Sequence, residues 1–81
     1  MKKERIIKSR LKEVMEDRGF SVRRLESASS VANPTIIKAR KDDGMAIMSI
    51  RVLSQLAAAL DCSVKDLFDD EPDDGTKKDA D

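Results

Sequence analysis

At 81 residues and 9.0 kDa the sequence suffices for one small domain, whose modest core must lie beneath a heavily charged surface, since apolar and charged residues contribute 40% each. A single cysteine, Cys62, excludes an intrachain disulfide, and the lack of histidine removes imidazole general-base chemistry and the usual zinc ligands, so neither an enzyme nor a metal or cofactor site is expected. The net charge of zero conceals a division: residues 1–41 carry 12 bases and five acids (+7) and residues 69–81 seven acids and two bases (−5), so the basic half favours a polyanionic or acidic partner.

In chain order, Ile6-Ile7 is too short for a signal peptide, and the longest apolar run, Leu56 to Leu60, falls far short of the roughly 20 residues that cross a bilayer. A cytoplasmic, nucleoid-associated protein is expected, with no membrane partner and Cys62 as a small buried hydrophobe. Ile7, Leu11, Val14 and Met15 form one apolar stripe, which predicts a first helix from about Lys3 to Arg18 ended by Gly19. Ser21 is an N-cap for a second helix, Val22 to Ser29, held to the core by Val22 or Leu25 and Ala28. After the turn Ser29 to Ala32, Asn33-Pro34 reads as N-cap and N1 of a third helix reaching about Lys41, where Asp42-Asp43-Gly44 breaks it. Met45 to Met48 is a short apolar loop. Ser49 caps a fourth helix, Ile50 to Leu60, with Ile50, Leu53, Leu56, Ala57 and Leu60 on one face, and Ser63 caps a short fifth carrying Val64, Leu67 and Phe68. The reading is an all-α fold of five short helices over residues 1–68, followed by a disordered acidic tail, residues 69–81, able to fold over a basic surface and compete with an anion.

Two short helices joined by about four residues inside such a bundle describe a helix-turn-helix, here residues 21–41. On the third helix Ile36 and Ala39 face inward, leaving Asn33, Pro34, Ile37, Lys38 and Lys41 outward. An amide, an exposed isoleucine and two lysines on one face suit a DNA major groove. Asparagine pairs with adenine, lysine reaches guanine O6 and N7, and isoleucine touches a thymine methyl. Arg23 and Arg24, in the first turn of the second helix, are placed to hold phosphate. The candidate DNA-binding residues are therefore Arg23, Arg24, Asn33, Pro34, Thr35, Ile37, Lys38 and Lys41.

The pieces LKEVMEDRGFS, RRL, VANPTI and SIRVLSQLAAALDCSVKDLF, in that order, make Leu11 to Phe68 resemble the lambda-repressor-like helix-turn-helix family, also called the Cro/cI or xenobiotic-response-element type. The resemblance implies a five-helix DNA-binding domain, commonly a dimeric repressor or activator and sometimes the antitoxin of a toxin pair. Val22 stands where that family usually has glutamine, Glu26 where it has alanine, Ser30 where it has glycine and Ala32 where it has a serine N-cap. Asn33 is expected to take over the cap. The first reading is a sequence-specific, repressor-like transcriptional regulator of prokaryotic or phage type, a homodimer on double-stranded DNA. The alternative is a protein-interaction module, such as an antitoxin with a protein partner and weak DNA binding, which Val22, Glu26 and Ser30 favour and the lysine face opposes.

Overall fold

A computed structural model describes residues 4–73. Five α-helices and one 3₁₀ turn lie between two strands: β1 (Glu4–Ser9), α1 (Leu11–Asp17), α2 (Val22–Ser29), α3 (Asn33–Ala39), α4 (Asp42–Ala46), α5 (Ile50–Leu60), the 3₁₀ turn Val64–Leu67, and β2 (Phe68–Asp73). The helices enclose one core. Leu11, Leu25, Ile36, Leu56, Leu60 and Leu67 are fully buried at its centre, each contributing about 1.5–3 kcal/mol by leaving water. Among the described residues no helix is long and apolar enough to cross a membrane.

Local chemistry sets the helix ends. The Ser21 hydroxyl accepts the Arg24 N–H at the start of α2, and Ser49 accepts the Val52 N–H at the start of α5, both as N-caps do. Gly19, at φ +71°, ends α1, and Asp61, also left-handed, ends α5. The Asp66 carboxylate accepts the Ser63 N–H and closes the 3₁₀ turn.

The strands correct the all-α reading. β1 and β2 form an antiparallel two-stranded sheet, with Ile7 opposite Asp70, Lys8 opposite Asp69 and Ser9 opposite Phe68. Residues 4–9, expected to begin the first helix, are extended, and that helix starts only at Leu11. The stripe from Ile7 to Met15 misled because one core receives both strand and helix, so Ile7 still packs against it. Residues 69–73, assigned to the disordered tail, are the acidic strand β2, and residues 74–81 lie outside the described residues. Three smaller corrections concern the helices. Asp42 to Ala46 is a helix of its own, because Asp42 and Asp43 sit in a first turn, where carboxylates favour the helix dipole. Ala28 is exposed, the inward positions of α2 being Leu25 and Ser29, and Ile50, placed on the core face of α5, is 67% exposed.

Candidate nucleic-acid interface

The link between α2 and α3 is built from two adjacent serines. Buried Ser29 donates its hydroxyl to the Leu25 carbonyl (2.7 Å) and accepts the Val31 N–H (3.1 Å), satisfying the polar groups that the bend would otherwise strand. Ser30 adopts φ 65°, reverses the chain, and donates its N–H to the Glu26 carbonyl. Buried Val31 and extended Ala32 then lead into α3. Ile36 and Ala39, both fully buried, fix the rotation of α3 about its axis. That rotation leaves Pro34, Ile37, Lys38 and, just past the helix, Lys41 facing solvent.

Helix α4 crosses the end of α3 at close range. A Cβ on buried Gly44 would overlap the carbonyl oxygen of Lys38 and lie 2.7 Å from its carbon, so only glycine permits this approach. The crossing forms an open groove of ≈ 530 Å³ lined by Pro34, Ile37, Lys38, Lys41, Asp43, Gly44 and Ile47. Ile37 is 46% exposed and Ile47 69%. An open trough carrying two ammonium groups beside aliphatic surface offers both an anion contact and a methyl contact, whereas it encloses too little to desolvate a small substrate. Strand β1 braces the same corner. The Ser9 hydroxyl donates to the Ala39 carbonyl (2.6 Å), and the Ser9 N–H donates to the Asp42 carboxylate (2.8 Å).

The eight candidate residues thus divide. Pro34, Ile37, Lys38 and Lys41 come together in the groove. Arg23 and Arg24 are exposed on the first turn of α2. The Arg24 guanidinium lies 4.6 Å from the centre of the Phe20 ring and donates to the Gly19 carbonyl (3.2 Å), which limits its motion while leaving it accessible. Thr35 is half-buried in the first turn of α3. Asn33 corrects an expectation: the N-cap of α3 is Ala32, without a side-chain acceptor, and Asn33 occupies the next position. Its amide Nδ2 donates to Glu26 Oε1 (3.4 Å), a charged acceptor on the neighbouring helix.

Gly44, Ile47 and the Glu26 contact were not singled out for the site. Gly44 read as a helix breaker and Glu26 as a departure from a family pattern; only the pairing of α2 with α3 joins Glu26 to Asn33. Half-buried Cys62 lies away from this face, on the α5 side of the core. Burial first, and the nearby Asp66 carboxylate second, push its thiol above the usual value, so the thiolate is disfavoured and the side chain serves as packing. Among the described residues no cluster of cysteine and carboxylate side chains suits a metal ion.

Residues 10–73 match the family model described as the Cro/C1-type HTH DNA-binding domain. No curated protein and no solved structure matches the chain.

Proposed function

The chain belongs to the Cro/C1-type helix-turn-helix DNA-binding family, and from that premise we propose that it is a sequence-specific, repressor-like transcriptional regulator of prokaryotic or phage type. One observation carries this reading: the outward side of α3 and the turn after it gathers Pro34, Ile37, Lys38 and Lys41 into a single open groove. Ile37, Lys38 and Asn33 read base edges, and Arg23, Arg24 and Lys41 hold the phosphates that fix register. Thr35 and Pro34 line the entry of α3 into the major groove. The protein acts by binding rather than by catalysis, without a cofactor, in the cytoplasm where the nucleoid lies.

A domain of this size makes few contacts, so two copies act together on a two-fold site whose half-sites lie about one DNA turn apart. The exposed Ile50 at the start of α5, beside an apolar groove lined by Ile7, Ala46, Met48 and Phe68, supports a homodimer surface on that side. The same apolar face is the observation that favours the second reading, a protein-interaction module of antitoxin type.

The deciding experiment is a salt titration of binding to mixed genomic DNA fragments, with selection and sequencing of the bound fraction. Each phosphate contact contributes about −0.9 to the slope of log K against log salt. A slope near −4 or steeper, about four phosphates, together with an enriched palindrome, supports the regulator. A shallow slope without an enriched sequence removes it and leaves the protein-interaction module.

A further inference from the structure

The Asn33–Glu26 contact joins the residue at the entry of the proposed base-reading helix to a carboxylate on the helix beneath it. Both side chains are half-buried, and Asn33 Nδ2 lies 3.4 Å from Glu26 Oε1. A carboxylate only accepts hydrogen bonds, so the edge of the Asn33 amide turned to α2 is its NH₂, and the position of the amide oxygen follows. A free asparagine amide, by contrast, turns over and exchanges donor for acceptor. In one sense it accepts from adenine N6 and donates to adenine N7 at once; turned over, its oxygen meets N7, an acceptor, and its NH₂ donates instead to guanine O6. An amide that takes both senses discriminates poorly among bases.

We propose that Glu26 is a specificity-determining positioning residue, whose carboxylate holds the Asn33 amide in one donor–acceptor sense so that Asn33 reads one base. This rests on the DNA-binding reading above. The carboxylate has a second effect of opposite sign. A negative charge beside the DNA face repels phosphate, so Glu26 lowers affinity for all DNA while sharpening the choice among sequences.

The test compares the wild-type protein with the variants N33A, E26A and E26Q by selection from a randomised DNA library and by titration against the selected and a scrambled duplex. N33A identifies the base pair that Asn33 reads, as the position where its preference is lost. Glutamine is nearly the shape of glutamate but both donates and accepts, so E26Q frees the amide without leaving a cavity, and a thermal melt of each variant establishes that it is folded. The expected result is that E26A and E26Q bind the scrambled duplex more tightly than wild type. At the base pair identified by N33A, their preference falls by about fivefold or more, the lower end for a well-made base contact. If both variants gain affinity equally for the two duplexes and select the wild-type sequence unchanged, Glu26 contributes charge alone and the proposal is overturned while the regulator stands. If wild type itself selects no sequence, the regulator and this proposal fall together.

Discussion

Ser30 holds φ 65° with an ordinary side chain, in the region where a Cβ crowds the following carbonyl at a cost of about 1–2 kcal/mol. Ser30→Gly removes that crowding but gives the unfolded chain more freedom, which returns part of the gain. The expected net effect is about 0.5–1 kcal/mol of added stability, read as a rise of about 4 °C in Tm by calorimetry. Two glycines make the complementary comparison. Gly19, at φ +71°, has nothing within 4 Å of an added Cβ, so Gly19→Ala costs only the backbone strain, about 1–2 kcal/mol. Gly44 has no unusual φ, yet its added Cβ meets the Lys38 backbone, which cannot swing aside as a side chain can. Gly44→Ala is therefore expected to cost about 2–3 kcal/mol, at the upper end for overpacking, and to push α4 away from α3. Urea denaturation of the two variants in parallel checks the order, and equal losses would show that α4 yields freely at that contact.

The elements best read from sequence are those whose signals are local. α2 and α5 were placed at their observed bounds because Ser21 and Ser49 cap them and their apolar positions recur at helical spacing. The start of α3 was placed one residue late, since Ala32 and not Asn33 is its N-cap. β1 was missed because what makes residues 4–9 extended is a partner near the other end of the sequence and a tether to α3 and α4. Ser9 supplies that tether: its hydroxyl donates to the Ala39 carbonyl and accepts the Leu11 N–H, while its own N–H binds Asp42. Ser9→Ala removes the two hydroxyl bonds and leaves a part-buried carbonyl without its donor, so a loss of about 2 kcal/mol is expected. Hydrogen exchange should show faster exchange in β1 and the first turn of α1 than in α5. A uniform change across all elements would mean that Ser9 is not the joint between sheet and helices. Of the candidate residues, the outward placing of Pro34, Ile37, Lys38 and Lys41 was legible from the rotation of α3, whereas the half-buried place of Asn33, its Glu26 contact and the groove wall supplied by α4 needed the packing of separate elements.

Over the whole molecule, the separation of charge is partly closed by the sheet. Four of the seven acids in residues 69–81 belong to β2, whose Asp69 stands opposite Lys8, with its carboxylate 3.7 Å from the Arg10 guanidinium. Acids whose backbone is held in β2 are not free to roam over the groove, which removes the main part of the charge from the competing-tail expectation. Residues 74–81 carry a net charge of only −1. Truncation after Asp73 should therefore change DNA affinity by less than about twofold at physiological salt, where the Debye length is about 8 Å. Fluorescence anisotropy on a labelled duplex measures this, and a large gain would restore the competing tail. The same sheet also orders events in time. β1 finds its partner only across about 60 positions of intervening chain, and the Arg10 N–H that donates to the Leu67 carbonyl spans nearly as many, so both closures carry an entropic cost that must be met before their hydrogen bonds form. During synthesis β1 emerges long before β2, so its pairing edge stays open until Phe68–Asp73 has been made, and the core waits for the same stretch of chain because Leu67, the residue just before β2, is buried in it.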